Sequence, residues 1–177
     1  FGVGASRLVG GERTFHRELE RGLARFMGTE DALALVSGYG TNSSLIGHIL
    51  GASDLLIYDA LSHSSVMSGT GITRATTIAF EHNNLDALER ILSEQRSRFK
   101  RAMIVCEGLY SMDGDCVDLP RIVELKQRYN AWLYVDEAHS IGVMGDTGRG
   151  IAEHFGVDRR HIDITMGTLS KTFGSCG

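Results

Sequence analysis

The stretch Trp132-Leu133-Tyr134-Val135-Asp136-Glu137-Ala138-His139 decides how the rest of the chain is read. Four apolar residues lead straight into two acids and a histidine, the form of a buried strand with ionisable groups at its carboxyl end. The same form recurs. Leu55–Tyr58 leads to Asp59-Ala60-Leu61-Ser62-His63, and Met103–Cys106 to Glu107-Gly108-Leu109-Tyr110-Ser111-Met112-Asp113-Gly114-Asp115. Ile162–Met166 leads to Gly167-Thr168-Leu169-Ser170-Lys171, and the apolar run Ala32–Val36 to Ser37-Gly38-Tyr39-Gly40-Thr41-Asn42. Thr76–Phe80 is a further strand. Helical spacing fills the intervals. Thr14–Met27 sets Leu19, Leu23 and Phe26 on one face, with Thr14 as N-cap and Gly28 as stop. Ser44–Leu50 and Ser62–Ser68 read as short helices, and Leu85–Gln95 as a longer one capped by Asn84. Leu119–Tyr129 carries Pro120 in its first turn, where a missing N–H costs nothing. Strands alternating with helices predict an α/β fold with a mainly parallel sheet, whose ligands gather at the strands' carboxyl ends.

The bulk properties narrow the class. With 177 residues, 42% hydrophobic and 23% charged, the chain suits one domain with a full core and argues against disorder. A net charge of −4 without a long basic run gives no support to a nucleic-acid or membrane-surface partner. Arg96, Arg98, Lys100 and Arg101, the densest basic patch, read as a solvated helix end. Cys106, Cys116 and Cys176 form no C-x-x-C pair, and with the seven histidines they show no zinc spacing. No metal is expected, and a reducing, cytoplasmic setting fits best. No apolar run approaches the ~20 residues of a membrane helix. Without an initiator methionine, and ending in a glycine-rich turn at Gly177, the chain reads as part of something longer.

Several plainer or rival readings apply to the strand ends. Gly38–Asn42 suits an ordinary strand-to-helix turn as well as a phosphate cradle. His63 alone suits a core or surface histidine. Glu107–Asp115 lacks the spacing and final glutamate of a calcium loop. Asp136-Glu137-Ala138-His139 also occurs in nucleoside-triphosphate hydrolases, but that reading needs a Gly-x-x-x-x-Gly-Lys-Ser/Thr loop that this sequence lacks. Gly2-x-Gly4-x-x-Arg7 lacks the third glycine and preceding strand of a dinucleotide fingerprint. Lys171, among Thr168, Ser170 and Thr172, could be exposed or could be a Schiff-base lysine. Taken together these residues suit pyridoxal 5′-phosphate (PLP). That cofactor needs an imine-forming lysine, an acid for the ring nitrogen, a flat group on the ring and donors for the phosphate.

The chain resembles the α-oxoamine synthases, fold-type-I PLP enzymes. The likeness runs from Ser6-Arg7-Leu8-Val9 through Ser37-Gly38-Tyr39, Leu61-Ser62-His63 and Glu107–Asp115. It continues through Val135–Gly142 and Gly148-Arg149-Gly150 to Gly167–Gly174, with Lys171 lying 35 residues beyond Asp136. The resemblance implies the large PLP-binding domain of fold type I over residues 1–177, lacking an amino-terminal segment and a small carboxyl-terminal domain. It implies that Lys171 carries the cofactor and moves the Cα proton, Asp136 pairs with the ring nitrogen, and His63 stacks on the ring. Ser111 and His139 would lie near the phenolic oxygen, His139 also assisting acid–base steps. Gly38 and Tyr39 would give backbone N–H groups, and Thr168 its hydroxyl, to the phosphate. The implied reaction condenses glycine, alanine or serine with an acyl thioester of coenzyme A or an acyl-carrier protein, releasing CO2 and thiol, in a homodimer. The Ser37-Gly38-Tyr39 start points toward the oxononanoate, palmitoyl-transfer or biosynthetic-cluster branches. An aminotransferase, an aldolase or a non-catalytic nucleotide-binding module are the alternatives.

Overall fold

The computed structural model describes residues 4–177; Gly2 of the weak dinucleotide pattern lies outside them. Two compact units divide the chain, Phe1–Leu35 and Val36–Gly177.

The first unit holds a 3-10 turn, Arg7–Val9, and helix α1, Thr14–Met27. Thr14 is not the N-cap expected of it. Arg13 takes that place in extended backbone, and its N–H is capped by His16 Nδ1 at 3.1 Å. Gly28 ends the helix at φ 69°, the left-handed conformation that glycine adopts without steric cost. The run from Ala32 is not the strand its apolar residues suggested. Side chains take the place of a neighbouring strand: Ala34 N–H donates to Glu20 Oε1 (2.9 Å), and its carbonyl accepts from Arg7 Nη1 (2.8 Å). Arg7 also bonds the buried Glu20 at 2.6 Å and Glu12 at 2.5 Å. Both backbone groups of Ala34 are thus satisfied without a strand.

The second unit is a five-stranded, wholly parallel sheet flanked by helices. In chain order it runs α2 (Gly38–His48), β1 (Leu55–Asp59), α3 (Ser64–Ile72), β2 (Thr76–Phe80) and α4 (Leu85–Gln95). Then come β3 (Ala102–Glu107), α5 (Leu119–Arg128), β4 (Trp132–Asp136), α6 (Ile151–His154) and β5 (Ile164–Met166). The strand order is β2-β1-β3-β4-β5. The chain therefore reverses its direction of growth at β1/β3, the kind of switch point where open α/β sheets form ligand crevices. Helix α2 begins six residues earlier than apolar spacing suggested, because Ser37 Oγ accepts Gly40 N–H at 3.0 Å and caps it. Helix α3 likewise starts after His63, whose own ring is the cap.

Side-chain alternation separates two cores. Leu55 and Ile57, Ala102, Ile104 and Cys106, and Leu133 and Val135 pack with Leu88, Leu92, Ile122 and Leu125 of α4 and α5. Leu56, Met103, Val105 and Tyr134 pack on the other face with Ile46 of α2 and Val66 of α3. With both faces covered, the strands need near-continuous apolar sequence, and β3 is buried at all six positions. The alternation also assigns the terminal acids. Glu107 and Asp136, paired in register, continue the α2/α3 face, whereas Asp59 continues the α4/α5 face.

Beyond β4, the fully buried Glu137 organises the next turn. It accepts Ser140 O–H (2.5 Å) and Ile151 N–H (2.9 Å) and pairs with Arg159 at 3.3 Å. Gly150 sits against it at φ 87°, where an added Cβ would fall 2.1 Å from Glu137 Oε2. Gly150→Ala combines positive-φ cost with overpacking and is expected to destabilise the full-length protein by about 3 kcal/mol in urea unfolding.

Candidate active site

Four polar residues named from the sequence converge at the carboxyl edge of the second unit. Asp136 ends β4 with only 3% of its surface exposed. Its Oδ1 accepts Ala138 N–H at 2.9 Å and its Oδ2 accepts the Asn42 amide at 2.7 Å. Burial nevertheless raises its pKa, outweighing those two bonds and the positive charge of Lys171. Such an acid gains from any cation brought beside it. Lys171, in the exposed turn after β5, places Nζ 2.7 Å from His139 Nε2. Burial and then the Lys171 charge lower the pKa of His139, which favours the neutral ring as acceptor.

His63 is held from behind. Its Nδ1 accepts Ser65 N–H (3.3 Å) and lies 2.7 Å from Ser65 Oγ. Ser65 Oγ in turn accepts the Asn42 amide at 2.9 Å. Ser65 O–H is thus free to donate to Nδ1, which leaves the ring proton on Nε2. Tyr134 O–H donates to Asn42 Oδ1 at 2.6 Å, so one amide ties Tyr134, Asp136 and Ser65 together. The Tyr39 ring stands edge-on to His63 at 6.3 Å, and its hydroxyl meets Ser68 Oγ at 2.6 Å.

Gly38 and Tyr39 open α2, where the first N–H groups of a helix lack intrahelical partners. Gly38 is needed for close approach: a Cβ there would lie 3.1 Å from Thr168 Cβ. The Thr168 hydroxyl lies beside this helix start but donates to the Gly177 carbonyl at 2.7 Å. Ser111 is different. It is exposed on the loop after β3, and among the described residues no hydrogen bond joins it to Lys171, His139, Asp136 or His63.

Sequence reasoning gave no role to Asn42, Ser65, Tyr134 or Glu107. Glu107 is buried, and Oε1 accepts His63 N–H at 2.5 Å. Burial first, then the neighbouring Asp136, push its carboxyl up to about 7, partly offset by that N–H. An acid standing last on an otherwise apolar strand, in register with Asp136, was the available signal.

The donor set fits PLP: an accessible amine, a buried acid stabilised by a cation, an imidazole with its rear nitrogen fixed, and a helix start facing a hydroxyl. Comparison with known proteins agrees. The family Aminotransferase class I and II matches residues 3–177. The chain is 48% identical to 8-amino-7-oxononanoate synthase of Geobacter sulfurreducens, over 99% of this chain and 44% of that protein. It is 45% identical to long chain base biosynthesis protein 2b of Oryza sativa subsp. japonica, over 98% of this chain and 36% of that protein. Among solved structures, a serine palmitoyltransferase variant from S. paucimobilis with bound PLP–myriocin superposes with a TM-score of 0.94 at 35% identity, covering 99% of this chain and 44% of that one. The second unit therefore has the fold of type I PLP transferases. The chain belongs to the aminotransferase class I and II family. It spans less than half the length of these relatives.

Glu107 binds a proton more tightly in the folded chain than its ordinary value of 4.5 allows, so its contribution to stability falls as pH rises from about 4.5 through about 7. Glu107→Gln keeps an oxygen for His63 N–H but cannot ionise. The cofactor-free full-length variant is expected to lose roughly 3 kcal/mol of that decline, seen as a flatter urea-midpoint profile across this window.

Proposed function

We propose that the full-length protein condenses a small amino acid (glycine, alanine or serine) with an acyl thioester, releasing CO2 and free thiol and giving an α-amino ketone. The observation that carries this reading is the 2.7 Å contact from Lys171 Nζ to His139 Nε2 on the turn that follows the buried Asp136. The similarity to 8-amino-7-oxononanoate synthase and to a serine palmitoyltransferase supports it.

When bound, PLP supplies an electron sink for a carbanion at the amino acid's Cα. The chain's own groups do the rest. Lys171 Nζ would hold the cofactor, and as a free amine it would be the base that takes the Cα proton. His139 Nε2, within hydrogen-bond reach of that amine, accepts a proton from it or returns one. Asp136, as an anion, holds a proton on the ring nitrogen; the Asn42 amide and Ala138 N–H keep its two oxygens oriented. His63, steadied through Ser65, covers the ring. The N–H groups of Gly38 and Tyr39 at the start of α2 would hold the phosphate, together with the Thr168 hydroxyl that here donates to the Gly177 carbonyl. Ser111 serves the phenolic oxygen. The acyl group arrives on coenzyme A or a carrier protein. The working form is a homodimer in the cytoplasm, a setting supported by the three free cysteines.

An absorbance spectrum of the full-length protein with PLP tests the core of this assignment. The wild type should show a yellow, borohydride-reducible band that Lys171→Ala lacks; identical spectra would remove Lys171 from its role. Asp136→Asn should keep the cofactor and lose turnover by about 100-fold or more, since an amide cannot hold the ring proton. Amino-acid-dependent release of both CO2 and thiol separates this reaction from an aminotransferase or an aldolase.

A further inference from the structure

A second polar cluster lies at the same sheet edge, on the opposite face from Asp136. Asp59 ends β1 fully buried, and its oxygens accept Leu61 N–H (2.8 Å) and Asn83 N–H (2.9 Å). His82, just beyond β2, sets Nδ1 2.9 Å from Asp59 Oδ1 and Nε2 2.9 Å from Asp115 Oδ2. Asn83 completes the grip: Nδ2 donates to Asp115 Oδ2 at 2.5 Å and reaches the Cys116 carbonyl at 3.4 Å. Asn83 holds φ at 51°, a conformation uncommon outside glycine and tolerated best by Asn and Asp.

A neutral imidazole has one N–H to give. Here both ring nitrogens face carboxylate oxygens, which only accept when ionised, so the arrangement is satisfied by the imidazolium. The groups that face this ring are Asp59 from β1, Asp115 and Asp113 from the loop after β3, and the Tyr110 ring, edge-on at 4.5 Å. Glu81 precedes it on its own segment, bonded to Asn84. Asp115 sits on the returning limb of a closed loop, in which Tyr110 N–H bonds the Asp115 carbonyl (3.0 Å) and Gly114 N–H the Tyr110 carbonyl (2.9 Å). Ser111 rides on that loop.

We propose that His82 is a positioning residue, whose imidazolium clips the Tyr110–Cys116 loop to the end of β1 and so fixes where Ser111 stands. The clip itself is independent of the proposed function; only the use of Ser111 toward the cofactor rests on it. Burial alone would lower the pKa of His82, but the bonds and charges of Asp59 and Asp115 together raise it. The clip's stabilisation is therefore complete below the ordinary histidine range and is lost as pH rises through the raised value.

Cys116, half-buried in this loop, reports on it. Full-length wild type and His82→Gln would be alkylated with iodoacetamide, with Cys116 followed by peptide mass spectrometry at each pH. At pH about 6.5 Cys116 should react at least about fivefold faster in His82→Gln, and this ratio should shrink toward one as pH rises above the titration of His82. A ratio independent of pH would mean packing alone, and equal rates at low pH would mean no clip; either overturns the proposal. A second measurement does not depend on that variant folding. The His82 ring, titrated by NMR in the wild type, should ionise above the ordinary histidine range, and lower in Asp115→Asn. A ring that ionises at or below the ordinary histidine value would also overturn the proposal. Neither readout needs PLP, so absence of the cofactor band would count against the proposed function alone.

Discussion

The Asp136 carboxylate must remain at the end of a buried strand, where removal from water favours its neutral form. Everything nearby answers to that constraint. Its two oxygens take one amide donor from α2 and one backbone N–H from the turn it begins, and still the buried anion is disfavoured. Left alone it is a strained group; beside a cation it becomes a strong anchor. The Asn42 amide that supplies one donor is itself held by Tyr134 on the same strand and spends its other proton on Ser65, behind His63. The orientations of His63 and of Asp136 thus derive from one side chain.

The sheet explains why these groups meet. Parallel strands end together, and a period of two decides which face each terminal residue takes. Those rules can be read in sequence from apolar runs that stop at an acid, which is why Asp136, His139, His63 and Lys171 were identifiable before any coordinates. Asn42 and Ser65 were not. Each lies within or beside a helix start whose polar residues look like ordinary caps, and their meaning comes from a partner up to 94 residues away. The Ala32–Val36 run failed for a related reason. Its apolar composition is that of a strand, but a guanidinium 27 residues earlier takes the carbonyl that a neighbouring strand would need. Helix α2 was placed late because Gly38 and Gly40 weaken helical propensity, while one serine hydroxyl caps the helix start.

Concentrating acids at one edge raises the question of how the fold tolerates their repulsion. Cys106 shows its extent: burial, then Asp59, Glu107, Glu137 and Asp136, push that thiol well above its ordinary value, so it serves as a core side chain and not as a nucleophile. The acids are separated into groups by strand parity and by turns. Glu107 and Asp136 face α2 and α3 and have Lys171 as their cation. Asp59, on the other face, has His82. Glu137, past the strand end, has Arg159 at 3.3 Å.

These three cations differ in a way that matches their work. Arg159 cannot lose its proton, and it serves the acid that only braces a turn, where constancy is what packing requires. Lys171 is the most accessible of the three, and its amine, unlike a guanidinium, can lose its proton and act as a nucleophile or base. A cationic group bound beside Glu107 and Asp136 would add to the charge of Lys171 in offsetting the cost of their burial. His82 lies between these extremes: its proton is exchangeable, and it joins the loop after β3 to the end of β1. Two ion pairs and one longer-range charge thus lie along a single edge, and the alternation of side chains along β1, β3 and β4 keeps Asp59 on the opposite face from Glu107 and Asp136.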